Sequence, residues 1–457
     1  MKLSAMQIQA IVDATKTPTP EQVRVVEAPR RPLLVVAGAG SGKTETMSMR
    51  VLWLLANHPD LTPASILGLT FTRKAAGELG DRLRERIRLL SREMPQMRER
   101  LDEDPVALTY NSFAERIVSE HGMRIGIDPD FAMLSEAGAL DLMTQIVEAW
   151  PTDLDETLSP AGVVGKILHL AGEIAEHGYT VESAREALEE FGRELEQVGR
   201  GNDVARNVID ANRRRLAFLG PIEAYQQRKR DMGVLDFSDQ LVLATRIVRE
   251  APSVRAALRD EFRAVLLDEF QDTSVIQMEL LSTLFGDHAV TAVGDPNQAI
   301  YGWRGASASS LETFLERFQT GVAEEDQTLT LSTAWRNDVS ILDAANRVAA
   351  PLREVASYQQ GKDALKAQSP VLVPRPGAGQ GRVEIAYTQA YDQALAAMVA
   401  FVQRVRSQPV KDGKRRTVAV LSRRRKDFPL IDAALREAGI PTEIVGLGGL
   451  LDQPAVQ

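Results

Sequence analysis

"VVAGAGSGKTETM", residues 35–47, joins an apolar run to a glycine-rich turn and then to a helical pattern, and its reading decides the fold. Ala37-Gly38-Ala39-Gly40-Ser41-Gly42-Lys43-Thr44 has the spacing of a P-loop, with Ala37 where the strict form has glycine. The glycines let backbone N–H groups curl round the β- and γ-phosphates of a nucleotide, Lys43 supplies a point charge, and the Thr44 hydroxyl can ligate Mg²⁺. The helix that follows turns its positive end toward the same anion.

Such a site needs an acid at the end of another buried strand to hold the metal, and "RAVLLDEFQDT" (263–273) supplies Asp268. Glu269 comes next. Neighbours on an extended chain point to opposite faces, but where a strand ends the chain turns and both carboxylates can reach one site. Asp268 is therefore assigned to Mg²⁺, directly or through water, and Glu269 to activating the attacking water.

Outward from this stretch, 33–36 (LLVV), 66–71 (ILGLTF), 264–268 (AVLLD) and 289–294 (AVTAVG) are short apolar runs that end in polar or glycine-rich segments. Helix-period patterns such as Met47, Val51, Leu54 and Leu55 lie between them. This predicts an α/β fold, a parallel sheet covered by helices on both faces, with ligands bound beyond the strand ends. From about 113 to 225 the strand signals give way to long amphipathic patterns, read as a helical insertion. A second region starts near 331; its Pro/Gly-rich loop is "SPVLVPRPGAGQGRVEIAY" (369–387). VEIAY and TVAVLS are read there as strands, with QALAAMVAFVQRV and LIDAALREAG as helices.

Composition narrows the class. No uncharged apolar run is long enough for a membrane span, and the N-terminus lacks the pattern of a secretory signal, so a cytoplasmic protein is expected. The sequence contains no cysteine, which excludes a disulfide framework, thiol chemistry and cysteine-ligated metal sites. A net charge of -9 argues against a chain that binds nucleic acid over its whole surface. Local basic runs at Arg73-Lys74, Arg213 to Arg215, Lys414 to Arg416 and Arg423 to Lys426 still permit a confined DNA contact.

GAGSGKT, LTFTRKAAGEL, TYNSF, DFSDQL, LLDEFQDT, VGDPNQAIYGWRGAS and LSTAWRN occur in that order. Together they resemble the UvrD/Rep/PcrA group of superfamily 1 DNA helicases, over about residues 18 to 457. GKTETM and "VGLGGLLDQPAV" near the end look most like actinobacterial members, including those fused to a nuclease. The resemblance implies a P-loop RecA-like sheet domain in two parts, 1–112 and 226–330, interrupted by the helical subdomain at 113–225. An incomplete second RecA-like domain would occupy 331–457. It also implies an ATP- and Mg²⁺-dependent motor that moves 3′ to 5′ on single-stranded DNA in repair or recombination. Its partners would be single strands, single/double-strand junctions and other repair proteins, with no membrane involved.

Carried onto this sequence, the resemblance has Gln22 of TPTPEQ read the adenine and Gln298 of GDPNQ sense the γ-phosphate. Trp335 of AWRN would stack on the base, and Arg336 would reach the γ-phosphate, where a guanidinium stabilises spreading charge. Phe71, Tyr301 and Trp303 resemble the aromatics over which bases are passed, a sequence-tolerant contact because every base has a π-face. Arg73, Asn111 and Arg304 would contact backbone or hold those rings, and Asp236 would be structural. Two positions depart from the pattern: Glu45 stands where many relatives have an arginine beside the adenine, and Asn111 replaces a histidine.

No second γ-phosphate arginine or late set of DNA contacts is recognisable after Arg336, so the chain is expected to be a fragment that binds Mg·ATP, hydrolyses it slowly and does not unwind duplex. The motor portion of a helicase–nuclease and a non-catalytic ATP-dependent DNA-binding module are the alternative readings; intact Lys43, Asp268, Glu269 and Gln298 weigh against the second.

Overall fold

Leu33–Ala37 (β1) is buried along its whole length, as a strand covered on both faces must be. It belongs to a computed structural model that describes residues 2–128, 130–152, 154–155, 157–198, 203–302, 306, 310–318, 327–358, 368–408 and 416–445. The other strands of its sheet are Ile66–Thr70 (β2), Val106–Thr109 (β3), Ala264–Leu267 (β4), Val290–Gly294 (β5) and Thr328–Leu331 (β6). Their order is β3-β2-β4-β5-β1-β6, and every pairing is parallel.

Alternation divides these strands between two cores. Leu34, Val36, Leu69 and Leu267 face the helices Tyr110–His121, Phe237–Glu250 and Val275–Phe285. Leu33, Val35, Ile66 and Leu266 face Lys43–Asn57 and Arg73–Glu93. The P-loop thus leaves one of the sheet's interior strands with packed helices on either side.

The helices Glu136–Glu148, Pro160–Glu176 and Asp203–Met232 build a separate core around Met143, Ile167, Leu219 and Ile222. Tyr110–His121 lies across residue 113, and its Phe113, Ile117 and Val118 pack into the sheet's core. Asp236 caps Phe237–Glu250 by accepting from the N–H groups of Ser238 and Asp239. Its other oxygen accepts from Lys229 Nζ at 2.6 Å, so it also anchors the long helix of the insertion.

Residues 1–381 form one compact unit and 382–457 another. β6 therefore completes the first sheet beside β1. In the second unit, Tyr391–Ser407 and Phe428–Glu437 pack through Val402, Leu435 and Ile440. The two segments read as strands there, VEIAY and TVAVLS, form no ladder among the described residues. Strands are stable as paired and covered chains, whereas Ile385, Tyr387 and Leu421 are 91%, 99% and 93% exposed.

One charge is fully enclosed. Arg50 Nε donates to Thr291 Oγ1 at 2.8 Å, and its terminal nitrogens donate to the carbonyls of Val25, Val26, Ala28 and Pro29. All its acceptors are neutral, and burial pulls the guanidinium down to about 10. The cation closes the C-terminal end of Pro20–Val26, where carbonyls lack helical partners. Arg50→Met leaves those acceptors buried and unpaired, at roughly 1–3 kcal/mol for each group left unsatisfied. Urea unfolding is expected to show a loss of about 3 kcal/mol or more; a shift within experimental error would refute this account.

Candidate functional site

The turn after β1 is shaped for close approach by a ligand. Gly40 and Gly42 have φ of 74° and 84°, the left-handed region that side chains resist. A Cβ on Gly40 would lie 2.9 Å from Arg336 Cβ, and one on Gly42 would lie 3.2 Å from Gln22 Nε2. Gly42 starts the helix Lys43–Asn57 without a side-chain cap, which leaves its first N–H groups for an anion. Ser41 Oγ is buried with no hydrogen-bond partner among the described residues. A glycine cradle, an orphaned hydroxyl, a lysine and a bare helix start suit a polyphosphate.

The DEFQDT segment meets this turn from β4. Lys43 Nζ donates to Glu269 Oε2 at 2.8 Å. Glu269 is the one non-glycine residue with positive φ among the described residues, at 49°. Such strain persists where the surroundings impose it, and it collects at functional sites. Here it turns Glu269 toward Lys43 while the preceding strand is fixed, with Asp268 N–H donating to Leu69 O at 2.8 Å and Tyr110 O–H to Asp268 O at 3.0 Å. Burial, then the charge of Glu269, pushes Asp268 up to about 6, and Lys43 opposes the rise. Burial also works to raise Glu269, but the charge and hydrogen bond of Lys43, helped by Gln271, hold it below the usual carboxylate range.

Mg²⁺ takes hard oxygen ligands and keeps several waters, so one or two protein oxygens suffice beside phosphates. Thr44 at the head of its helix and Asp268 at the end of β4 are the donors this chain offers, and they fit that demand.

Gln22 and the Trp335-Arg336 pair flank the cradle. Gln22 is buried; its Oε1 accepts from Thr19 N–H at 2.9 Å and its Nε2 donates to Thr46 Oγ1 at 3.3 Å. Trp335 N–H donates to Gly40 O at 2.8 Å, and its ring edge lies 3.6 Å from where a Gly42 Cβ would stand. The charge of Arg336 contributes to holding Glu269 down. Glu45 pairs with Arg86 of the next helix. The amide of Gln298 donates to Asp295 Oδ2 at 2.7 Å.

Beyond the ends of β2 and β3 lies a cavity of about 420 Å³. Phe71, Arg73, Asn111, Phe237, Asp272 and Gln277 are among its walls. Phe71 and Tyr301, far apart in sequence, have ring centroids 4.5 Å apart. Asn111 Oδ1 accepts from Gln277 Nε2 at 3.1 Å. Trp303 and Arg304 lie outside the described residues, as do Lys414 and the terminal segment from Gly446. Phe237, Gln271 and Asp272 escaped the reading of the sequence. Phe237 had a signal, an aromatic beside the helix cap of DFSDQL, while Gln271 and Asp272 stand beside acids that drew the attention.

The family model of the UvrD/REP helicase N-terminal domain matches residues 18–319. DNA helicase II of Escherichia coli K12 is 30% identical over 327 residues, covering 71% of this chain and 39% of the relative. DNA helicase II of Haemophilus influenzae is 28% identical over 347 residues, 76% of this chain and 41% of the relative. The ATP-dependent DNA helicase PcrA of Leuconostoc citreum is 28% identical over 329 residues, 72% of this chain and 38% of the relative. The chain spans about two fifths of the length of these curated relatives.

Proposed function

The chain belongs to the UvrD/REP helicase family, and on that premise we propose that it is the ATP-hydrolysing, DNA-gripping part of a helicase that moves 3′ to 5′ along single-stranded DNA in repair or recombination. The observation that carries the reading is the Lys43–Glu269 ion pair at the P-loop, with Asp268 beside it and the Phe71–Tyr301 pair beyond the same ends of the sheet.

In this reading Ala37 to Thr44 wrap the phosphates, Gln22 meets the adenine edge and Trp335 covers the base. Lys43 leaves Glu269 for the β- and γ-phosphates, and Glu269, freed, takes the proton of the attacking water. When bound, Mg²⁺ neutralises developing charge on the phosphoryl oxygens, and Thr44 and Asp268 would hold it. Arg336 stabilises the γ-phosphoryl group from the opposite side, and Gln298 senses it through the Asp295 loop. Phe71 and Tyr301 stack bases, with Trp303 as a third ring, while Arg73, Asn111 and Arg304 steady the strand. The cavity wall also carries Glu115 and Glu176, which disfavour a phosphate there and favour an uncharged base.

The test is steady-state ATP hydrolysis by this chain with and without an oligo-dT strand. Hydrolysis raised by DNA supports the motor; Mg·ATP binding without any turnover supports a non-catalytic module. Streptavidin displacement from either end of the strand reports direction.

Phe71→Ala and Tyr301→Ala are each expected to weaken oligo-dT binding by about 1–3 kcal/mol, as the loss of one base stack does. Because the rings touch, the double variant should lose less than the sum. Anisotropy titrations with oligo-dT and oligo-dC check this, and unchanged affinity in both single variants would remove the stacking role.

A further inference from the structure

Gln271 has no role in the reading above, yet its side chain is placed between the two halves of the site. It is 2% exposed, on the turn Phe270–Asp272 that follows Glu269. Its Nε2 lies 2.9 Å from Glu269 Oε2 and 3.3 Å from Asp272 Oδ2. Its Oε1 accepts from Asp295 N–H at 3.0 Å, and Asp295 in turn accepts from Gln298 Nε2.

A primary amide has two N–H donors and one carbonyl. Here one donor serves the carboxylate paired with Lys43, the other serves a carboxylate in the wall of the aromatic cavity, and the carbonyl holds the loop that carries Gln298. The fit leaves little slack: a Cβ on Gly294 would lie 2.8 Å from Gln271 Oε1. Phe270, beside it, is fully buried among Phe314 and Phe318. A displacement of Asp272 is therefore passed to the amide, and the amide's other donor is on Glu269.

We propose that Gln271 is the positioning residue through which the aromatic-lined cavity controls Glu269: a base seated against Asp272 draws the amide with it, and Glu269 is released from its geometry beside Lys43. This rests on the reading that the cavity takes single-stranded DNA and that Glu269 activates water. Gln271 touches neither ligand and acts only through the two carboxylates. A residue of this kind alters the response to DNA more than the affinity for it.

The experiment compares parent, Gln271→Met and Gln271→Asn chains. Methionine keeps the length and loses the hydrogen bonds; asparagine keeps the amide but is too short to span both carboxylates. For each, ATP hydrolysis is measured with and without oligo-dT, oligo-dT affinity by anisotropy, and folding by urea titration. The expected result is oligo-dT affinity within about threefold of the parent, with the ratio of stimulated to unstimulated rate falling at least tenfold in every variant that folds. A retained ratio in either folded variant overturns the proposal, as does a loss of equal factor with and without DNA, which a merely structural role would give. Combining Gln271→Met with Asp272→Asn should then lower the ratio no further; multiplying losses would place the two residues on separate routes. If the parent itself binds ATP but ignores oligo-dT, the underlying reading fails and this proposal falls with it, a result visible without any variant.

Discussion

Glu269→Gln is expected to lower ATP turnover by about 10²–10⁴-fold, the usual worth of a positioned general base, while ATP binding is kept or strengthened. The substitution is nearly isosteric, so the turn and its positive φ are preserved. What disappears is the carboxylate proposed to take the proton, which also occupies Lys43 at 2.8 Å. Lys43 and Glu269 are partly exposed, with side-chain exposures of 12% and 38%, so their ion pair is worth about 1 kcal/mol at most. Phosphate must displace that pair in the parent and has less to displace in the variant. A several-fold tighter Kd for Mg·ATP beside a collapsed kcat is thus the signature. Turnover within tenfold of the parent would mean that Glu269 is not the base.

Lys43→Ala is expected to act on the same ligand with the opposite sign in binding. The variant loses the ammonium proposed to meet the β- and γ-phosphates, and with it a stabilising charge where negative charge shifts during transfer; losses of about 10²–10³ in rate accompany removal of one such group. It also strands Glu269. The depression of that carboxyl comes chiefly from Lys43, so without it burial is left to push the group up, and its ionised form is less favoured. Both ATP affinity and turnover should fall, whereas Glu269→Gln separates them. Equilibrium binding of a fluorescent ATP analogue together with single-turnover hydrolysis distinguishes the two patterns, and an unweakened affinity in Lys43→Ala would place the phosphates elsewhere.

Much of this site was legible along the chain because its elements are local. The P-loop is a continuous stretch, and its chemistry follows from which residue types stand side by side. Asp268 and Glu269 end a hydrophobic run that reads as a buried strand by itself. The order of the later motifs then carried the family. Legibility ended where a residue's surroundings come from distant segments. Arg50 resembles any helical arginine until its carbonyl partners, Val25 to Pro29, are folded onto it. VEIAY has the composition of a strand but no ladder among the described residues, because pairing depends on a neighbour and not on the segment.

The glycine-rich turn after β1, the parallel sheet and the family were all readable along the chain, since glycine permissiveness, strand alternation and motif spacing are properties of short contiguous stretches. Three features emerge only on folding: β6 joins the edge of the first sheet beside β1, Phe71 meets Tyr301, and the one amide of Gln271 is shared between Glu269 and Asp272. Each of these depends on distances set by the packing of the whole sheet, and hydrogen bonds and ring contacts act only over a few ångströms.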